Sequence, residues 1–184
     1  MELILSDGHA SAEYYPDFIE DLSLDDLINR VSWRQNDIKM YGKVFQEPRL
    51  TAWYGPPYRY SSIQWEEQAF PDFLESLRVR LSALAKFEFN AVLLNYYRDG
   101  QDHMGWHRDN EKEIDHQVIA SVSFGASRTF RMREKETKEN YDIELEDRSL
   151  LLMKHMQERY EHMIPKRARV HKARINLTFR RIIA

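Results

Sequence analysis

The chain has 184 residues, 42% of them hydrophobic and 31% charged, with a formal net charge of −3 and no cysteine. That length supports one domain with a real core, and the composition is globular rather than disordered or fibrous. Disulfides, thiolate catalysis and cysteine-ligated zinc are excluded; no apolar run reaches the roughly 18 residues of a membrane helix.

The N-terminus lacks the basic-then-apolar layout of a secretion signal. The expected location is the cytoplasm (nucleoid-associated) in a bacterium or the nucleus in a eukaryote. Acids crowd the early chain at Glu13, Asp17, Glu20, Asp21, Asp25 and Asp26. Ser23 before Leu24-Asp25-Asp26-Leu27 reads as a helix N-cap with acids in the first turn, and the helix is expected to run to about Trp33. Met40-Tyr41-Gly42-Lys43 lies between strand-like Asp37–Lys39 and Val44–Gln46, placing Tyr41-Gly42 at a hairpin tip. Pro71-Asp72 opens a second helix, where Phe73, Leu77, Leu81 and Leu84 recur at helical spacing as a core-packing stripe.

After Asn90 the chain reads as strands: Ala91–Tyr97, Val118–Phe124, Arg128–Glu134, Ile143–Glu146, Leu150–Lys154, Arg159–Met163 and Ala173–Ile182. Charged Glu134–Asn140 reads as an exposed hairpin loop. In the last strand Ile175, Leu177 and Phe179 face one way, and Arg174, Asn176, Thr178 and Arg180 the other. Many short strands after two helices predict a mainly β, α+β fold: a sandwich or jelly roll with helices against one sheet. No repeat or linker interrupts it, so residues 1–184 are expected to form one domain.

Candidate chemistry concentrates in Asn95–Asp109, which ends in the pair His107-x-Asp109. Residues i and i+2 on a strand share a face, so both can converge on one ion, with His162 brought from elsewhere as a third ligand. Two imidazoles and a carboxylate are the ligand set of non-haem iron with open positions. The other histidines lack comparable context. Arg174 and Arg180 lie about 20 Å apart along a strand at roughly 3.3 Å per residue, and their heads can lean together over one small dicarboxylate. Two inward arginines without counter-charges are costly, and an acidic ligand relieves that cost. Asn95 and Tyr97, again i and i+2, offer an amide and a phenol to the same ligand. The alternative is that both arginines point into solvent or pair with glutamates. From Lys166 to Arg181 the chain carries seven basic residues and no acid, a local basic surface compatible with phosphate contacts or simply a solvated strand end.

Phe89–Arg98, His107–Glu111, Ile119–Arg133, His162, Pro165 and Arg174–Arg180 closely resemble the AlkB family of iron(II)- and 2-oxoglutarate-dependent dioxygenases. Ile119–Phe130 and Arg174–Arg180 look like the animal members that repair alkylated nucleic acid. The resemblance spans roughly residues 36–183. It implies a double-stranded β-helix core over about residues 89–183 and a nucleotide-recognition lid over about 36–68. It implies iron(II) held by His107, Asp109 and His162, and dioxygen as a further co-substrate. 2-Oxoglutarate would chelate the iron, salt-bridged to Arg174 and Arg180, with Asn95, Tyr97, Asn176 and Thr178 completing its pocket. Oxidation of an N-alkyl carbon, with succinate and carbon dioxide formed from the keto acid, would release formaldehyde and restore the base.

For the substrate, the Met40-Tyr41-Gly42 tip is similar to the finger with which duplex-acting members probe the base stack, the aromatic filling the gap left by a flipped base. Arg49 matches the family and is expected to contact the strand near the lesion. Glu111 matches the acid that recognises the exocyclic amino group of a cationic damaged base; Asn110 stands where several relatives have aspartate. Tyr58 and Tyr60 belong to the lid, to stack on or bond the flipped nucleotide, whereas Trp53 and Trp106 read as packing. Arg167 and Arg169 match a loop used against the opposite DNA strand, with Ala168 replacing one basic position. The reading is a monomeric DNA-repair demethylase of 1-methyladenine and 3-methylcytosine, preferring duplex. Its rivals are a sister enzyme acting on single-stranded DNA or RNA, a non-catalytic metal- or nucleic-acid-binding module, and an oxygenase acting on protein.

Overall fold

Period-two alternation in the last strand decides the architecture, because each of its faces must be covered by something different. A computed structural model describes residues 1–40, 42–60 and 63–183. In chain order the elements are β1 (Glu2–Ser6), β2 (Ser11–Tyr15), α1 (Leu24–Arg30), β3 (Asp37–Met40), β4 (Lys43–Gln46), β5 (Leu50–Tyr54), β6 (Tyr58–Tyr60) and β7 (Ile63–Trp65). There follow α2 (Asp72–Ala85), β8 (Ala91–Tyr97), β9 (Met104–His107), β10 (Ile114–Gly125), β11 (Arg128–Glu134), β12 (Asn140–Leu145), β13 (Ser149–Lys154), β14 (Tyr160–Ile164) and β15 (Arg174–Ile182).

Among the described residues a seven-stranded sheet runs β1-β2-β13-β10-β15-β8-β5 and a four-stranded sheet runs β12-β11-β14-β9. The pairings within both are antiparallel. Val92, Leu94, Ile175, Leu177 and Phe179 on the outer face of the larger sheet pack with Leu27 of α1 and Leu74, Leu77 and Leu81 of α2. Ile119, Leu151 and Met153 on its inner face pack with Phe130, Met132 and Ile164 of the smaller sheet. This is the expected jelly roll with its helices on one sheet.

Several local expectations shift. The Ser23 cap is a full capping box: Ser23 accepts from the Asp26 amide, and the Asp26 carboxylate accepts back from the Ser23 amide. The helix nevertheless stops at Arg30, because Val31 turns extended and buries its side chain; Trp33, beyond the end, packs edge-on against Tyr96 at 5.2 Å. In α2 the buried stripe is Leu74, Leu77 and Leu81. Leu84 is 39% exposed, and Phe73 lies under the Arg30 guanidinium at 4.0 Å. Residues 1–15, for which the sequence offered no strand, extend the larger sheet by two strands beside β13.

Candidate active site

β9 and β14 pair antiparallel with His162 opposite His107, so the two imidazoles emerge on one face and meet edge-on, ring centres 4.2 Å apart. The His107 Nδ1 lies 2.8 Å from the Gly105 carbonyl. A carbonyl only accepts, so Nδ1 carries the hydrogen and Nε2 is the free donor for a metal. Asp109 corrects the strand argument: β9 ends at His107, and the carboxylate reaches the histidines from irregular chain beyond it. Ligand atoms of His107, Asp109 and His162 all lie within 4.8 Å of one another. The Asp109 Oδ2 is 4.0 Å from His162 Nε2, inside the span of about 4.2 Å available to two atoms each about 2.1 Å from one ion.

Burial pushes the His162 imidazolium pKa down to about 3, and the neighbouring His107 acts in the same direction. Burial also lowers His107. Both rings are therefore neutral near pH 7, the form that ligates. Burial alone would raise the Asp109 carboxyl, but the charged, hydrogen-bonded Arg180 leads the groups that outweigh it and hold it below the usual range. Two neutral imidazoles and one ionised carboxylate fit iron(II).

The four inward side chains of β15 line the same cavity as the three ligands. Register puts Arg174 opposite Tyr97 and Asn176 opposite Asn95 on β8. Arg174 is 1% exposed and donates from Nη2 to Ser123 Oγ at 3.0 Å, but its Nε and Nη1 have no hydrogen-bond partner. Burial brings its pKa down to about 10, so it stays charged at neutral pH with no carboxylate paired to it among the described residues. A buried guanidinium with two idle donors fits a carboxylate-bearing co-substrate such as 2-oxoglutarate. Arg180 is arranged differently: its Nη2 is 2.7 Å from Asp109 Oδ1, while its Nε is idle. Arg174 thus has no counter-charge among the described residues, whereas Arg180 is already paired with Asp109.

Asn95 accepts from Arg49 through Oδ1, which leaves its amide NH₂ as the group to offer the cavity. Asn176 donates to Ser121 Oγ and the Val122 carbonyl and accepts from Thr178 Oγ1. Both line the cavity, yet their polarity is largely spent on holding each other and β10. Ser121 and Ser123 were not singled out from sequence, although alternation in Val118–Phe124 puts them inward. Gln157 and Glu47 carried no sequence signal.

Glu111 is half-buried beside the ligands; burial and then Asp109 raise its pKa, and its Oε2 is buried without a partner. Asn110 is exposed next to it. Arg49, expected to contact the strand near the lesion, is 5% exposed, ion-paired to Glu47 at 2.7 Å and bonded to Asn95. Tyr58 is 2% exposed and stacks on Trp53 with ring centres 4.9 Å apart, in one cluster with Ile63, Trp65 and Leu93. Trp53 is packing as expected, and Trp106 lies under Arg133 at 4.1 Å. Tyr41 and the side chains of Met40 and Tyr60 lie outside the described residues. Gly42 has φ +74 and open space around it, and Met40 pairs with Lys43 across β3 and β4. Arg167 and Arg169 are exposed, but Arg167 Nη2 turns onto Thr129 Oγ1 at 2.6 Å.

Residues 11–180 match the profile of the 2OG-Fe(II) oxygenase superfamily, so the match begins well before residue 36. Alpha-ketoglutarate-dependent dioxygenase alkB homolog 3 of Mus musculus is 38% identical over 185 residues, covering 91% of this chain and 65% of that protein. DNA oxidative demethylase ALKBH2 of Bos taurus is 38% identical over 159 residues, covering 79% of this chain and 57% of that protein. The chain therefore spans less than two thirds of the length of these relatives. The solved structure of OsALKBH1 superposes with a TM-score of 0.65 over 92% of this chain and 97% of that one; at 13% identity this likeness speaks for the fold alone. With the ligand triad, the idle buried arginine and these matches in agreement, the chain belongs to the AlkB family within the 2OG-Fe(II) oxygenase superfamily.

Proposed function

We propose that the chain demethylates N-alkylated bases, 1-methyladenine and 3-methylcytosine, in DNA, releasing formaldehyde and favouring duplex. Iron(II), 2-oxoglutarate and dioxygen are the cofactor and co-substrates of its superfamily. The observation that carries the proposal is the uncompensated Arg174 guanidinium sharing one cavity with the His107, Asp109 and His162 cluster. When bound, the iron and keto acid supply the oxidation of the N-alkyl carbon. Arg174 would hold a carboxylate of the keto acid, with the Asn95 amide and Tyr97 lining the same cavity. Arg180 keeps Asp109 ionised. Glu111 accepts from the exocyclic amino group of a flipped cationic base, a bond that an undamaged base gives more weakly. The relatives named for DNA oxidative demethylation support the substrate class.

A second reading, the same dealkylation on single-stranded DNA or RNA, is favoured by Arg167, which turns onto Thr129, and by uncharged Ala168 beside it. Methylated duplex DNA, single-stranded DNA and RNA offered in competition at fixed salt decide between them, with base restoration read by mass spectrometry. Duplex turnover lost in Tyr41→Ala with single-strand turnover intact supports the first reading. No formaldehyde or succinate from any substrate, or equal release by His107→Ala, overturns both.

A further inference from the structure

We infer that Gln157 is a positioning residue for Asp109, holding the metal-binding carboxylate where no strand can. The inference rests on reading His107, Asp109 and His162 as an iron site. β9 ends at His107, so the Asp109 backbone is outside the sheet ladder that fixes both histidines. Its amide instead donates to Gln157 Oε1 at 2.9 Å, a bond spanning 48 residues of sequence. The Arg108 Nη1 reaches the Gln157 carbonyl at 3.5 Å, adding a second, weaker tie between the same two segments.

Gln157 lies in the connection from β13 to β14, the strand that carries His162. One side chain therefore couples the two chain segments that deliver ligands. It is 1% exposed, and its Nε2 is buried without a partner. A half-satisfied buried amide is unfavourable, so its burial is not explained by hydrogen bonding for stability. An apolar side chain of that length would fill the space without an idle donor.

The geometry explains what the bond does. Arg180 holds Asp109 Oδ1 at 2.7 Å from the β15 side. Gln157 fixes the backbone at the other end of the residue. With both ends held, Oδ2 is the oxygen presented towards His162. Without Gln157, residues 108–110 are free to follow Arg180, and Asp109 keeps its ion pair while leaving the triad.

The test is calorimetric titration of manganese(II), a redox-inert stand-in for iron(II), into folded wild type, Gln157→Met and Gln157→Glu. Methionine keeps length and removes the acceptor; glutamate keeps the acceptor oxygen. We expect manganese affinity to fall about 10- to 100-fold in Gln157→Met, the range found when groups orienting metal ligands are removed, and to stay close to wild type in Gln157→Glu. Amide hydrogen exchange of the metal-free proteins is the second readout, with the Asp109 amide protected in wild type and Gln157→Glu and fast in Gln157→Met. Unchanged affinity in Gln157→Met, or equal losses in both variants, overturns the inference. Should Gln157→Met fail to fold, an unprotected Asp109 amide in wild type overturns it, and a protected one with wild-type affinity in Gln157→Glu supports it. A wild type that binds no manganese sinks the iron-site reading instead.

Discussion

Arg180 and Asp109 are joined by a 2.7 Å contact between Nη2 and Oδ1, and both side chains are 5% exposed. An isolated charge at that depth is costly, so each makes the other tolerable. The pair leaves one carboxylate oxygen for a metal and pre-charges the site before any ion arrives. Replacing Arg180 with methionine strands the Asp109 charge, and we expect the metal-free protein to lose about 3–5 kcal/mol of stability. Because a divalent cation then supplies the missing counter-charge, manganese(II) should raise the urea midpoint of the variant more than that of wild type. Equal shifts would show that the pair is not what balances Asp109.

Co-substrate affinity should depend on residues that do not touch the co-substrate. Asn36 and Arg49 both bond the Glu47 carboxylate, and Arg49 in turn bonds Asn95, forming a chain from half-buried Asn36 at the base of the β3–β4 hairpin to the cavity. Glu47→Ala leaves the Arg49 charge unpaired and Asn95 free to rotate. The expected outcome is a KM for 2-oxoglutarate raised by about tenfold, as for one lost charged hydrogen bond, with manganese affinity unchanged. Loss of manganese binding in parallel would mean the wall had collapsed rather than lost one contact.

The basic loop is held by a glycine. A Cβ on Gly100 would overlap the Arg167 carbonyl oxygen, and Gly100 exchanges backbone bonds with Arg167 and Val170. Arg128 clamps the same crossing, donating to the Asp99, Asp102 and Pro165 carbonyls. Gly100→Ala should therefore lift residues 166–172 off the core at a cost of about 1–3 kcal/mol. Limited trypsin digestion reports it, with faster cleavage at Lys166, Arg167, Arg169 and Lys172 and weaker binding to nucleic acid. An unaltered cleavage rate would contradict the docking.

The N-terminal strands bring a pH-dependent tie. Backbone amides of Ala10 and then His9 hold the Asp7 carboxyl pKa down to about 2, from an ordinary 3.8, and the Tyr160 hydroxyl donates to it as well. A folded-state value below the unfolded one means the stabilisation is present above pH 3.8 and is lost as pH falls through about 2. Asp7→Asn should be less stable than wild type near pH 6, and the gap should close on acidification through that window. A constant gap across it, measured by urea denaturation, would exclude Asp7 as the source.

Much of the site was legible because alternation in β15 and β8 says which side chains share a face. Alternation alone puts Arg174, Asn176, Thr178 and Arg180 in one row, and Asn95 and Tyr97 in another. His107 and His162 were found by residue type and resemblance, and their antiparallel register then made them neighbours. Harder to read were contacts between segments far apart in sequence. Gln157 under Asp109, Glu47 beside Arg49 and Ser123 under Arg174 are ordinary residues until the fold brings them together.

The sequence by itself determined a mainly β fold with its helices against one sheet and an inward polar row on the last strand, because strand periodicity and residue chemistry are local properties; the full metal and anion ligand set was implied by the family resemblance. Only the tertiary structure decided that residues 1–15 add two strands beside β13, that Arg49 and Tyr58 turn inward, and that Arg180 spends itself on Asp109. Periodicity says which face is buried; what covers that face, and which buried charges meet there, depends on the packing of distant segments against one another.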